Sequence, residues 1–119
     1  MSYDIYLKDA VSGKTLMLNT PHHMTGGTYQ VGGTQDAWLN VTYNYGKFYY
    51  EIFEGDKGIR TIYGMSAVDS IPILEAAIAK LGDDVSDNYW DATEGNAKSA
   101  LVKLIALAKM RPDGIWDGD

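Results

Sequence analysis

WLNVTYNYGKFYYEIF, residues 38–53, changes its periodicity halfway, and that change decides the fold class. From 38 to 45 the side chains alternate: Leu39, Val41, Tyr43 and Tyr45 project one way, and Trp38, Asn40, Thr42 and Asn44 the other, which is the period of a strand. Beyond Gly46 the spacing becomes helical, with Phe48, Tyr49, Ile52 and Phe53 on one face of a short helix near 46–54. A strand that runs into a helix within sixteen residues predicts a mixed domain.

The flanks extend that reading. Residues 2–8 alternate, with Tyr3, Ile5 and Leu7 on one face, and residues 9–14 supply turn chemistry ending in Ser12-Gly13. Leu16 and Leu18 then mark a returning strand, so an N-terminal β-hairpin is expected. Residues 20–33 read as loop with a short strand at 28–31, because Pro21, Gly26-Gly27 and Gly32-Gly33 turn the chain tightly. Residues 54–58 form a turn, and 59–63 read as a short strand ending at Gly64.

The second half is helical. Ser70 is the expected N-cap of one helix, with Pro72 tolerated in its first turn, an apolar stripe of Ile71, Leu74, Ile78 and Leu81, and Gly82 at its end. Thr93 caps the next, Glu94 suits its first turn, and Ala97, Leu101, Leu104, Ile105 and Ala108 form its buried face until Pro112 stops it. The expected fold is α+β over residues 1–119: a small antiparallel β-sheet packed against two main C-terminal helices, plus the short helix near 46–54.

Composition narrows the function classes. A chain of 119 residues fits one domain and can bury a core without staples. It has no cysteine, which excludes disulfides, thiol nucleophiles and thiolate metal sites. Residues 1–8 carry no basic segment leading into an apolar run, so no secretion signal is expected, and Lys103 and Lys109 interrupt the most apolar stretch, so no membrane association is expected. The net charge of -6 disfavours direct binding of nucleic acid, whose phosphates it repels.

No motif decides an activity. His22 and His23 are the only histidines. Either could serve as a base, but adjacent side chains diverge in an extended segment and no acid spacing completes a metal set. The glycine pairs form neither a dinucleotide fingerprint nor a Walker loop. Residues 83–94 mimic a calcium loop in length, yet Val85 stands at a ligand position and Asn88 where the turn glycine belongs. No catalytic residue, metal or cofactor is therefore expected.

The 38–53 stretch is the strongest candidate for a binding surface. Aromatic rings stack on flat ligands, and the amides beside them can read a ring edge. In this reading Trp38, Tyr43 or Tyr45 stacks on a nucleobase-like ring, and Asn40 and Asn44 bond its edge. Arg60 and the glycine backbone take phosphate, with Lys47 as a further cation, and His22 or His23 contacts sugar or phosphate. Thr28, Tyr29, Thr42 and Tyr63 complete the surface. The competing use is structural: the same aromatics form core while the amides face water. Tyrosine hydroxyls favour binding, since a purely structural core would use Leu, Ile and Phe. On an ideal strand the functional face carries Trp38, Asn40, Thr42 and Asn44, and Tyr43 or Tyr45 joins only if the strand is irregular.

The phrases PHHMTGGTY (21–29), WLNVTYNY (38–45), KGIRTIYG (57–64), ATEGNAK (92–98) and RPDGIWDGD (111–119) resemble a family of small bacteriophage and prophage proteins over nearly the whole chain. The resemblance carries no activity and so no catalytic residues. It implies a viral protein in the cytoplasm of a bacterial host, where small acidic phage proteins often counter defence. The leading expectation is a phage-encoded binder that sequesters a nucleotide-like immune signal. The alternatives are an acidic inhibitor that occupies the basic groove of a host defence protein, using Asp83, Asp84, Asp87, Asp91, Asp117 and Asp119, and a phosphoesterase using His22 or His23. A homo-oligomer is also expected, because exposed Tyr and Trp suit interfaces.

Overall fold

The computed structural model describes residues 2–23 and 33–119. The fold is α+β. Strands β1 (Ser2–Lys8), β4 (Trp38–Thr42) and β5 (Ile115–Gly118) form an antiparallel sheet in the order β4-β1-β5, and β2 (Met17–His22) pairs with β3 (Thr34–Asp36) in a second, two-stranded sheet. The helices are α1 (Gly46–Ile52), α2 (Ala67–Ile78) and α3 (Glu94–Met110), with 3-10 turns at Tyr43–Tyr45 and Gly58–Ile62.

Alternation makes β1 the centre of the sheet. Tyr3, Ile5 and Leu7 are buried on its inner face, opposite Val41 and Leu39 of β4 and Trp116 of β5. The outer face is held by polar ties: Lys8 Nζ lies 2.9 Å from Asp117 Oδ2, and Asn40 Nδ2 donates to Asp4 Oδ1 at 2.9 Å. The inner face meets a core that includes Leu74 of α2, Tyr49 of α1, and Leu101 and Leu104 of α3. Burying each large aliphatic side chain contributes about 1.5–3 kcal/mol before entropy is counted.

The helices follow their caps. Thr93 Oγ1 accepts from Asn96 N, and the expected face of α3 from Ala97 to Ala108 is buried. Helix α2 begins before the expected start: Ser66, not Ser70, is its N-cap, accepting from Asp69 N. Ser70 is buried instead, and Pro72 is the sixth residue of the helix. A proline there has no N–H to donate to the Val68 carbonyl one turn back, which is tolerable because Val68 and Pro72 lie on an exposed side. Gly82 lies beyond the helix end and donates its N–H to Glu94 Oε1 at 3.2 Å.

Three further expectations are corrected. The N-terminal hairpin does not extend. Asp9 turns the chain by accepting from Val11 N and Ser12 N, but Ala37 then inserts itself, donating to Leu16 O and accepting from Leu7 N. One isolated bridge, Lys8 to Thr15, remains of that hairpin, and β2 pairs elsewhere. Strand β4 stops at Thr42, whose Oγ1 accepts from Asn44 N and starts the 3-10 turn. Residues 59–63 are not a strand: Gly58 takes φ +58, and an added Cβ there would lie 3.1 Å from the Tyr50 ring.

Both edges of the main sheet are occupied by the chain itself. The Tyr89 hydroxyl accepts from Thr42 N at 3.0 Å and donates to Asn40 O at 3.1 Å, along the outer edge of β4. Residues 64–67 run along β5, with Trp116 N–Met65 O at 2.9 Å and Gly64 N–Trp116 O at 2.8 Å. Among the described residues no helix is long and apolar enough to cross a membrane.

Candidate functional site

The irregularity at Thr42 builds the site. Because the chain leaves the strand there, Tyr43 and Tyr45 differ in burial although alternation gave them one direction. Tyr45 is buried, whereas Tyr43 remains half-buried and packs edge-on against Tyr3, with ring centroids 4.5 Å apart at 75°. Arg60 arrives from the 3-10 turn at Gly58–Ile62. Its guanidinium carbon lies 4.8 Å from the Tyr3 ring centre and 5.8 Å from that of Tyr43, within cation–π range.

These groups line an open recess of about 270 Å³ together with Gly46, Lys47 and Tyr50. Tyr50 is 48% exposed and offers the most accessible ring. A Cβ at Gly46 would lie 3.0 Å from the Tyr3 hydroxyl, so glycine there keeps the floor open. The lining holds two cations and no carboxylate, in a chain of net charge -6. Arg60 donates Nε–H to the main-chain oxygen of Asp119 at 2.8 Å, and its Nη groups make no hydrogen bond among the described residues. Tyr63 adjoins, its hydroxyl 3.4 Å from the same Asp119 oxygen.

The other sequence-predicted residues lie elsewhere. Asn40 and Tyr45 line a cavity of about 160 Å³ with Tyr89, Asn96 and Lys103. There the expected readers are engaged by the fold. Asn40 Nδ2 also donates to Ser2 Oγ at 2.5 Å, Asn44 Nδ2 to Trp90 O at 2.8 Å, and the Tyr45 hydroxyl to Tyr89 O. Thr42 serves as a cap. Trp38 lies across from Tyr6 in a third, shallow recess with Thr15 and Asp36. His22 Nε2 donates to Asp36 O at 2.7 Å, and His23 is exposed just beyond β2. Thr28 and Tyr29, with most of the glycine-rich loop, fall outside the described residues. Among the described residues no three His, Asp or Glu side chains gather as metal ligands.

Of the residues that the sequence singled out, Tyr43, Lys47 and Arg60 line this recess and Tyr63 adjoins it, whereas Tyr3 and Tyr50 were not singled out. Gly46, Lys47 and Tyr50 stand at helical spacing on α1, and that spacing was the available signal.

Burial acts on the Tyr3 phenol of this recess and on three neighbours. It raises the Tyr3 hydroxyl above the ordinary value, with neighbouring Tyr50 adding to the effect and Arg60 opposing it. Burial likewise raises Tyr45, Tyr49 and Tyr63. Because the folded chain holds these protons more tightly than the unfolded chain, their contribution to stability is complete below the unfolded pKa of about 10 and is lost as pH rises further. The urea midpoint is expected to stay level up to about pH 9 and to fall steadily above it, with the share of phenolate absorbance at 295 nm that belongs to the buried tyrosines appearing only on unfolding. A midpoint indifferent to alkali would contradict the burial of these hydroxyls.

Comparison with protein families, with curated proteins and with solved structures finds no match.

Proposed function

We propose that this protein binds a small anionic ligand with a flat ring, of the nucleotide-like class, in the recess between Tyr43, Tyr50, Lys47 and Arg60. The observation that carries this reading is the placement of Arg60 over Tyr3 and Tyr43, beside Lys47 and with no carboxylate in the lining, on an otherwise acidic chain. Stacked on rings, the guanidinium is held in one orientation, so it loses little freedom when it takes an anion. Tyr50 and Tyr43 offer the stacking surface. Asn40 and Asn44 are engaged by the fold, so selection rests on charge and stacking more than on reading a ring edge. In the phage setting that the sequence resemblance implies, such a binder withdraws a host signal from circulation without chemical turnover.

Calorimetry against a panel of linear and cyclic nucleotides tests this. At least one is expected to bind, and Arg60→Ala to weaken it about 10- to 100-fold, the worth of a charge-assisted contact of about 1.5–3 kcal/mol. Absence of binding across the panel overturns the reading.

A second reading, an acidic inhibitor of a basic host protein, is favoured by the 83–91 loop. That loop carries Asp83, Asp84, Asp87 and Asp91 and leaves Trp90 46% exposed. It predicts a salt-sensitive protein partner and full indifference to Arg60→Ala.

A further inference from the structure

Helix α2 is apolar on more sides than its own core requires. Leu74 and Ala77 face inward, yet Val68 is 54% exposed, Pro72 and Ala76 are exposed, and Ile73 is only half-buried. A helix apolar nearly all round is normally covered on both sides. Beside this outer face runs a groove of about 320 Å³, in which Ile52, Phe53 and Glu54 join Pro72, Ile73 and Ala76, with Lys80 at its end, one of its Nζ–H groups donated to Ile52 O at 3.1 Å.

The order of side chains says what covers it. Asp69, Ile73 and Ala76 follow one another at helical spacing on α2, and Lys80, in the turn just past its end, lines the same groove as Ile73 and Ala76, so the row starts with an acid and ends with a base. If a second α2 is laid antiparallel across the first on a two-fold axis, Asp69 meets Lys80 of the other copy at both ends. Ile73 meets Ala76 twice in the middle, large against small. Antiparallel helices also oppose their dipoles favourably. Two copies that each carry a net charge of -6 repel over most of their surfaces, and this row offers each a base for the other's acid. We infer that the outer face of α2 is an interface between two copies of this chain, packed antiparallel about a two-fold axis. Such an isologous contact is the commonest form of closed assembly. It is independent of the ligand recess, whose lining residues it does not use.

Sedimentation equilibrium tests the inference, with circular dichroism confirming that each variant keeps its helices. The unaltered chain is expected to dimerise reversibly in the micromolar range. Ala76→Arg, at an exposed position, is expected to raise the dissociation constant at least tenfold. Lys80→Asp and Asp69→Lys each weaken the dimer about tenfold, through two ion pairs lost and replaced by like charges, and the two together restore it. An unaltered chain that sediments as a monomer at the highest concentrations reached overturns the inference. So does an Ala76→Arg dimer of undiminished strength, or a double reversal no tighter than either single one. A monomer whose groove takes up an apolar dye would assign the face to another occupant and equally defeat it.

Discussion

Replacing Trp116 with alanine is expected to cost about 3–5 kcal/mol of folding stability. The indole is the largest of the fully buried side chains and sits on β5, facing inward. Its Nε1–H donates to Ser70 Oγ at 2.7 Å, and Ser70 in turn donates to Ala67 O at 2.7 Å, so one side chain ties the sheet to the first turns of α2. Alanine would leave a cavity and remove the donor together. Domains of this kind are stable by only about 5–15 kcal/mol, so the variant should be close to unfolding at ambient temperature. Trp116→Phe separates the two contributions. It retains most of the ring, and Ser70 keeps its bond to Ala67, so its cost should be nearer 1–2 kcal/mol. Urea titration followed by circular dichroism measures both. An alanine variant as stable as the phenylalanine one would show that the indole is not packed as described.

Asn96→Ala is expected to cost about 1–3 kcal/mol, although it removes only one small polar side chain. Asn96 is 8% exposed and lies in the first turn of α3. Its Nδ2 donates to Asn88 O and to Asp91 O, both at 3.1 Å, while its Oδ1 accepts from Ser86 N at 3.1 Å. Asn88 O and Asp91 O also accept from Asp91 N and Thr93 N, so alanine removes a second donor from each of them and takes from Ser86 N the acceptor it uses. The loop is seated closely enough that a Cβ on Gly95 would lie 2.7 Å from the Asp84 carbonyl carbon. Asn96→Asp is the informative partner. A carboxylate suits the start of a helix, but it would face two carbonyl oxygens with no hydrogen to offer them. It should therefore destabilise despite its favourable place on the dipole. If aspartate proved stabilising in a urea titration, the helix dipole and not the loop contacts would govern this position.

Much of the architecture was legible in local pattern. The change of period at Gly46 located the end of the strand region and the start of α1, and the apolar row from Ala97 to Ala108 with its Thr93 cap defined α3. Strand β5 was not legible. Its four residues, IWDG, are too few to show a period, and they become a strand because β1 has an open side for them. The 58–62 turn misleads because Ile, Thr and Tyr favour strands, while the geometry there is decided by Gly58 and the ring of Tyr50 packed against it. The candidate site was half legible for the same reason. Tyr43 and Arg60 announce themselves by residue type. Alternation groups Tyr43 with the inner-face residues, and it does pack against Tyr3 there, but the meeting of these rings with Arg60 and Tyr50 depends on the chain leaving β4 at Thr42.

The hydroxyl of Tyr89 on the edge of β4 has a consequence for how the protein could fail. A single oxygen satisfies both Thr42 N–H and Asn40 C=O, the groups that a further strand would use. The edge is thus sealed by one phenol on a loop that the Asn96 and Asn44 amides and the Tyr45 hydroxyl hold in place. Displacing that loop exposes a ready template for cross-strand addition, with Trp38 and Leu39 beside it. Amyloid-like aggregation of this chain would therefore begin with the release of a side chain, well before the core is lost.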